Sequence, residues 1–287
     1  MSKLKKIFPY LYVLPAASFI TVLFLYSAVF TLYISFTNWK GYGQAEWVGL
    51  ANYIRFFQDP VLLTSFTNTI LWVAATLLIP VGLGLILSVV LQNMWGHAVF
   101  KNIFYLPYGI SLTITAIIWG FLFSPLGINS LLAELGIHWK VDWLNTPPYN
   151  TYSMIMASIW QSTGTNMILF LVGLQSLPKD PFEAAMIDGA SRFRTFISVT
   201  VPLLKPYTIV VAGMALVNSF KVFDIIWVMT QGGPYRSSET LAVTMYRESF
   251  VLANMGQGSA VSMILTVMVF LFSWLYLRKT IQKGEDA

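Results

Sequence analysis

Two short groups of polar residues stand in otherwise apolar stretches of the chain, and they are the first candidates for binding chemistry. The first group falls in residues 143–178, a run without Asp, Glu, Lys or Arg. The groups are Gln161, Ser162, Thr165 and Asn166, and then Asn218, Lys221 and Asp224. Such side chains can bind a polar solute, or they can bond backbone groups and neighbouring helices. The residues alone leave both interpretations open.

Helical spacing places the members of each group on shared faces. Gln161 and Thr165 are four residues apart, and Asn218, Lys221 and Asp224 follow one another at intervals of three. The second group also predicts an ion pair between Lys221 and Asp224, because a pair of opposite charges one turn apart lowers the cost of placing charge in a membrane. These polar groups therefore belong on helices, with their side chains on one side.

A compact charged segment, PFEAAMIDGASRFRTFISVTVPLLKP, occupies residues 181–206. Asp180 is predicted to cap a helix that begins with Pro181, where the missing N–H of proline costs nothing. Glu183 then falls at the third helical position, which completes a capping box. The segment is predicted to open with a short helix.

The second half of this segment is predicted to turn and to form another short helix. Gly189 can end the first helix in a backbone conformation that other residues resist. Ser191 can cap the next helix, and Pro202 and Pro206 are expected to turn the chain away. An amphipathic loop lying on lipid headgroups is the other interpretation of this pattern.

The composition identifies the chain as a membrane protein. It is 56% hydrophobic and 10% charged, and its mean hydropathy is +0.68, whereas a soluble domain carries roughly 25% charged residues. The chain has no cysteine and only two histidines, which excludes disulfides, thiolate metal sites and a histidine-rich metal site. The net charge of +5 is assigned to anchoring at the membrane and not to nucleic acid.

Long charge-free runs predict six transmembrane helices and an all-α integral membrane protein. A span takes about 20 apolar residues. The first helix is too long for the apolar part of a secretory signal, so it is expected to stay as an anchor. The predicted helices lie near residues 10–36, 67–91, 103–123, 152–175, 204–228 and 259–278.

The distribution of Lys and Arg predicts that both termini are cytoplasmic. With the N-terminus inside, eleven of the 17 basic residues fall in cytoplasmic segments, five fall in external loops, and Lys221 is intramembrane. Cytoplasmic segments generally carry this excess of positive charge. The charged segment of residues 181–206 is then cytoplasmic.

The residues of that segment closely resemble the EAA signature of ABC importer permeases. The matching positions are Glu183, Ala184, Ala185, Asp188, Gly189, Ala190, Phe196, Val199, Val201, Pro202 and Pro206. In that family the segment is a coupling helix that docks on a cytoplasmic ATPase subunit. The resemblance implies an ATPase-coupling role for the six residues from Glu183 to Ala190, with Glu183 as an ion-pair partner and with Asp188 and Gly189 shaping the turn.

Three further stretches resemble the carbohydrate-importer permeases related to the larger maltose permease subunit. They are WVGLANYIRFFQDP, VDWLNTPP and KVFDIIWVMTQGGPYRSSETL. The resemblance runs from about Leu11 to Arg278, without a counterpart of the large periplasmic domain of the maltose subunit. It implies a type I ABC importer fold, with an N-terminal segment, first helix and external loop (1–66), a five-helix permease domain (67–280) that includes the EAA loop (180–206), and a cytoplasmic tail (281–287).

The resemblance also implies a solute pathway along the fourth and fifth helices, since the maltose permease contacts sugar from the equivalent helices. The expected pathway residues are Gln161, Ser162, Thr165, Asn218, Lys221 and Asp224. The predicted ion pair favours a neutral carbohydrate such as an oligosaccharide. An anionic solute such as glycerol phosphate or a uronide is the alternative, because it would bind an unpaired lysine.

The family implies several partners and a mechanism of alternating access. The expected partners are a second, different permease chain, an ABC ATPase dimer that binds ATP and Mg²⁺, and an extracellular or periplasmic solute-binding protein. The chain itself is expected to hold no cofactor, to bind no nucleic acid, and to lie in the plasma (inner) membrane of a prokaryote.

Enzyme motifs are absent from the sequence. It has no G-x-x-x-x-G-K-[ST] phosphate loop, no cysteine nucleophile and no G-x-S-x-G serine motif. The other class that remains is a self-sufficient secondary transporter, which often shows inverted repeats. No internal repeat is evident here, and such a transporter has no need of an EAA segment.

Overall fold

The structure is a computed structural model that describes residues 12–92, 94–137 and 141–285, with side chains as far as Arg278. The described residues are helical apart from connections and one isolated antiparallel bridge between Thr37 and Trp47. The helices are α1 Tyr12–Ser35, α2 Ala51–Gln58, α3 Pro60–Gln92, α4 His97–Tyr105, α5 Leu112–Leu122, α6 Ile128–Glu134, α7 Tyr149–Gln175, α8 Asp180–Ile187, α9 Arg192–Leu203, α10 Lys205–Ser219, α11 Asp224–Met229, α12 Leu241–Tyr246 and α13 Met255–Glu285.

Long apolar helices account for the predicted membrane spans. Among the described residues, α1, α3, α7 and the first part of α13 are long and apolar enough to cross a bilayer. Two bent pairs add to these: His97–Gly109 meets α5 at 99°, and α9 meets α10 at 71°. Counted as one span each, the bent pairs bring the number to six, as the sequence predicts.

The third span is broken, so the prediction of one uninterrupted helix near 103–123 is wrong. Pro107 lies in a 3₁₀ turn at the end of α4, and Ser111 caps α5 by accepting from the backbone N–H of Ile114 at 3.3 Å. The carbonyl oxygen of Ile110 accepts from Nε2 of Gln161 at 3.2 Å. A side chain from α7 therefore bonds a carbonyl group at the break.

The fifth helix is also interrupted, which corrects the prediction of a continuous helix over 204–228. α10 ends at Ser219, and α11 begins at Asp224. The carbonyl oxygen of Val222, in the break, accepts from the hydroxyl of Thr240 at 3.1 Å. A hydrogen bond from a residue far along the chain thus takes the place of a bond within the helix.

The chain packs as two compact units. One unit runs to Leu63 and includes Thr244–Val267. Within it, Nδ2 of Asn52 donates to the carbonyl oxygens of Ser35 and Thr37 at 2.9 and 2.8 Å. Nε2 of Gln257 donates to the carbonyl oxygen of Asn52 at 3.1 Å. These amides join the end of α1, α2 and the start of α13.

The other unit includes Thr64–Val243 and continues from Met268. Its core is a set of fully or nearly buried side chains from α3, α5, α7, α11 and α12: Trp72, Ala116, Met154, Ile155, Ala157, Ile225, Ile226 and Val243. Close approach needs glycine at Gly164 of α7, where a Cβ atom would overlap the carbonyl oxygen of Phe104. Small residues allow this spacing between membrane helices. The second unit contains both polar groups and the EAA segment.

Candidate functional site

A cavity of about 450 Å³ lies in the second unit, between α3, α5, α7, α10 and α11. All of the residues predicted to line a solute pathway border it: Gln161, Ser162, Thr165, Asn218, Lys221 and Asp224. The structure thus brings the two polar groups, which are more than fifty residues apart in sequence, to a single cavity. Their role in solute passage stays a prediction.

The polar residues on α7 are partly engaged with backbone groups. Gln161 donates to the carbonyl oxygen of Ile110, and the hydroxyl of Ser162 donates to the carbonyl oxygen of Ser158 at 2.8 Å. The hydroxyl oxygen of Thr165 is buried without a partner among the described residues. The interpretation that these groups bond helices and backbone therefore holds for Gln161 and Ser162.

The polar residues around the break in the fifth helix differ from those on α7, because their side chains are exposed and available to bind a solute. The side chains of Asn218, Lys221 and Asp224 make no hydrogen bond or ion pair with the rest of the described chain. The predicted ion pair between Lys221 and Asp224 is therefore wrong. It assumed one helical turn between the two residues, and the break between α10 and α11 removes that turn.

Aromatic and apolar side chains form the rest of the cavity wall, and spacing in the sequence did not indicate them. They include Trp72 from α3, Tyr108 and Leu112 near the bend of the third span, and Phe223 in the helix break. Trp72 is fully buried, and its indole N–H has no partner among the described residues. Only the packing of α3 against α7 and α11 brings Trp72 to this site.

The EAA segment forms two short helices, but its first helix starts differently from the prediction. α8 begins at Asp180, and the carbonyl oxygen of Lys179 accepts from the N–H groups of Phe182 and Glu183 at 2.9 and 3.1 Å. No side chain caps this end, so the predicted capping box is wrong. Because the helix starts one residue early, Glu183 is one position too far along to reach back to the cap.

The end of α8 explains the sequence Asp188-Gly189-Ala190. Gly189 has φ of +69°, the left-handed conformation predicted for it. Its N–H donates to the carbonyl oxygen of Met186 at 3.1 Å, and the N–H of Ala190 donates to that of Ala185 at 2.9 Å. This pair of bonds is a Schellman motif, which stops a helix and favours glycine at this position. Asp188 is the last residue before the turn.

The second short helix is confirmed at its start and longer than predicted at its end. The hydroxyl oxygen of Ser191 accepts from the N–H of Arg194 at 3.3 Å and caps α9. α9 runs through Pro202 to Leu203, and the bend of 71° follows it. Pro202 therefore does not turn the chain, because it lies in the first turn of a short α-helical stretch, where its missing N–H is tolerated.

The two short helices expose apolar side chains beside acidic ones. Met186, Ile187 and Phe193 are 70%, 86% and 72% exposed. Glu183 and Asp188 are exposed, as is Ala184, whereas Ala185 is buried. A cluster of exposed apolar residues with a polar rim is typical of a surface that binds another protein. Among the described residues, no group of three or more His, Asp or Glu side chains is placed to hold a metal ion.

Comparison with known proteins places the chain in a family. Residues 80–283 match the family described as binding-protein-dependent transport system inner membrane component. A probable ABC transporter permease of Pyrococcus horikoshii is 35% identical over 281 residues, which cover 96% of each protein. The sn-glycerol-3-phosphate transport system permease protein UgpA of Yersinia pestis is 35% identical over 270 residues, covering 91% of this chain and 90% of that protein.

The fold is also similar to a solved structure. A bacterial ABC transporter involved in the import of the acidic polysaccharide alginate superposes with a TM-score of 0.85 and 22% identity, covering 97% of this chain and 96% of that chain. The resemblance predicted from the EAA segment is confirmed, and a self-sufficient secondary transporter is set aside. The chain belongs to the binding-protein-dependent transport system inner membrane components, and it is a permease subunit of an ABC importer, not an enzyme.

Proposed function

We propose that this permease forms half of a pore for a carbohydrate, which an external binding protein delivers. The observation that carries the proposal is the cavity, which is lined by aromatic side chains and by Asn218, Lys221 and Asp224, three side chains without a partner in the described part of the chain. Sugars present hydroxyl groups and apolar ring faces, and this combination of side chains suits both. Few polar groups set among apolar and aromatic side chains are typical of small-molecule sites.

The charges in the cavity favour a neutral solute, although Lys221 and Asp224 do not form the predicted ion pair. Lys221 and Asp224 both line the cavity, so their formal charges cancel without direct contact. Separated charges can each hydrogen-bond a hydroxyl group, since the ammonium group donates and the carboxylate accepts. A neutral oligosaccharide therefore uses both groups.

An anionic solute, such as glycerol phosphate or a uronide, is the second candidate. Lys221 is exposed in the cavity without an ion-pair partner in the described chain, so its ammonium group is available to bind a negatively charged ligand. The similarity to a permease named for sn-glycerol-3-phosphate transport points the same way. The two candidates differ in how strongly uptake depends on the charge of Lys221.

Substitution of Lys221 by Met separates the two candidates. The solute is first identified by a thermal-shift screen of the co-purified binding protein against sugars, uronides and sugar phosphates. For a neutral sugar, Lys221→Met is expected to raise the half-saturating solute concentration for uptake about 10-fold, since a bond from the ammonium group to an uncharged hydroxyl contributes about 1.5 kcal/mol, the low end for bonds to charged groups. For an anionic solute, the increase is about 100-fold, because both partners of the lost bond are charged and its contribution lies near about 3 kcal/mol, the high end of that range.

The control for this experiment is Lys40→Met, which removes an exposed lysine outside the cavity. Uptake by the control is expected to match that of the parent chain. If Lys221→Met leaves uptake of the identified solute unchanged, the cavity does not bind the solute through Lys221, and both candidates lose their common argument.

We further propose that α8 docks on a partner ATPase, which binds ATP and Mg²⁺ and drives alternating access. The exposed apolar side chains of α8 and α9, together with Glu183, support this assignment. In this arrangement the segment is cytoplasmic, both termini lie on the same side, and a second, different permease completes the pore. The membrane is the plasma (inner) membrane of a prokaryote.

A further inference from the structure

Buried side chains from two other helices hold the connection that follows α11. Asn68 of α3 is 9% exposed, and its Nδ2 donates to the carbonyl oxygens of Ser237 and Glu239 at 2.8 and 2.9 Å. We call residues 230–240 the clamped loop. A buried amide without partners costs about 1–3 kcal/mol. These two hydrogen bonds therefore stabilise the contact between Asn68 and the loop.

A second amide holds the clamped loop from α7. Asn150 is fully buried, and its Nδ2 donates to the carbonyl oxygen of Gly233 and to the hydroxyl of Ser237, both at 2.9 Å. The hydroxyl oxygen of Thr69, beside Asn68 in sequence, accepts from the N–H of Leu241 at 2.9 Å. The loop is therefore bonded to α3 and α7 at Gly233, Ser237 and Glu239, and the residue that follows it, Leu241, is bonded to α3 as well.

The clamped loop contains an internal ion pair, and two of its residues, Gln231 and Tyr235, are exposed. Arg236 and Glu239 form an ion pair at 3.0 Å, with the Glu239 side chain fully buried. Gly232 has φ of +80°, and a Cβ atom there would overlap Glu239. Tyr235, between them, is 98% exposed. Because of these contacts, we expect the loop to keep its shape when a partner contacts Tyr235.

The end of the clamped loop is bonded to the cavity wall. The hydroxyl of Thr240 is fully buried and donates to the carbonyl oxygen of Val222 at 3.1 Å. Val222 lines the cavity and lies in the helix break between Lys221 and Asp224. The position of the loop therefore influences where the backbone of the break lies.

We propose that the clamped loop relays an external contact at Tyr235 to the cavity through Thr240 and Val222. Asn68, Asn150 and Thr240 are then positioning residues, which touch no solute and act through the loop and the helix break. The inference rests on the proposed delivery of solute by an external binding protein. It assigns a mechanical role to hydrogen bonds that could otherwise serve stability alone.

A cysteine reporter in the cavity tests the relay, because the chain has no cysteine of its own. Ala215, a small residue that lines the cavity, is changed to Cys. The assembled complex, with its ATPase, second permease and binding protein, is treated with a charged thiol reagent, and modification of this chain is followed by mass spectrometry. Solute-loaded binding protein with ATP is expected to change the labelling rate at least fivefold.

Thr240→Val keeps the shape of the side chain and removes its hydroxyl. The variant is expected to abolish most of the change in labelling rate, while ATPase activity without binding protein stays within twofold of the parent. Thr240→Ser restores the hydroxyl and is expected to restore the response. Tyr235→Ala is expected to weaken the response as well, and it cannot disturb packing because Tyr235 is exposed.

A matched control is Asn129→Asp, since Nδ2 of Asn129 also donates to a loop carbonyl oxygen, that of Val141, at 2.7 Å, but outside the cavity wall. Its response is expected to equal that of the parent, whereas Asn150→Asp loses the response. A parent-like response in Thr240→Val, or a loss of its basal ATPase activity, contradicts the relay but leaves the proposed delivery by the binding protein intact. If the parent chain itself shows no change, delivery by the binding protein is wrong and the relay falls with it.

Discussion

At the scale of the residue, polar side chains of similar type do different work in the same cavity. Gln161 uses its amide to satisfy the carbonyl group of Ile110 at the bend of the third span. Asn218 is exposed in the cavity and has no partner among the described residues. One amide supports the backbone, and the other is available to a solute.

A pair of substitutions distinguishes these roles. Asn218→Leu is expected to raise the half-saturating solute concentration for uptake about 2- to 10-fold, because one neutral hydrogen bond is lost. Gln161→Leu is expected to lower the thermal stability of the purified complex, because the partly buried carbonyl group of Ile110 loses a hydrogen bond that contributes about 0.5–1.5 kcal/mol. Uptake assays and thermal unfolding measure the two effects. Unchanged uptake in Asn218→Leu contradicts its assignment to the pathway.

At the scale of the element, α8 carries two acidic residues in its first turn, Asp180 and Glu183. Both lie near the positive end of the helix dipole, where each contributes about 0.3–1 kcal/mol. Neither caps the helix through its side chain. A difference between variants of the two residues therefore reports what each one binds outside α8.

Glu183→Lys is expected to uncouple the ATPase from the pore. An ion pair with a basic residue of the ATPase contributes about 1.5–3 kcal/mol, so its reversal is expected to reduce uptake and binding-protein-stimulated ATP hydrolysis by about 10-fold or more. Asp180→Lys makes the same change of charge in the same turn and is expected to keep most of the coupling. ATP hydrolysis in vesicles, with and without binding protein, measures both. Normal transport by Glu183→Lys rules out the coupling role.

At the scale of the whole molecule, the distribution of basic residues predicts which loops face outward. Leu126, between the third and fourth spans, and Met186, in α8, are 78% and 70% exposed. Because the chain has no cysteine, each position can carry a single Cys reporter. The predicted orientation places Leu126 outside and Met186 inside.

Labelling of intact cells with a membrane-impermeant thiol reagent checks this orientation. Leu126→Cys is expected to react in intact cells, and Met186→Cys only after the membrane is permeabilised. The parent chain supplies the background, since it offers no thiol. The opposite pattern would reverse the orientation and remove α8 from the side on which an ATPase binds.

Much of this protein follows from composition and local pattern. Apolar runs of about 20 residues require spanning helices, because a bilayer satisfies no backbone polar group. The EAA segment identifies the family, and the turn at Gly189 follows from a local backbone requirement. The six polar residues that border the cavity stand out in the sequence because polar groups are rare in apolar helices, and the family resemblance pointed to the same two helices.

Tertiary contacts decided the rest. The breaks in the third and fifth spans involve hydrogen bonds from Gln161 and Thr240, which lie 51 and 18 residues from the carbonyl groups they satisfy. Local sequence patterns do not indicate such distant partners. Both helices were therefore predicted as continuous, and Lys221 was predicted to pair with Asp224. Trp72 joins the cavity through the packing of α3 in the same way. The sequence by itself determined which segments are helical and which family they form, whereas the shape of the cavity depends on contacts between distant residues.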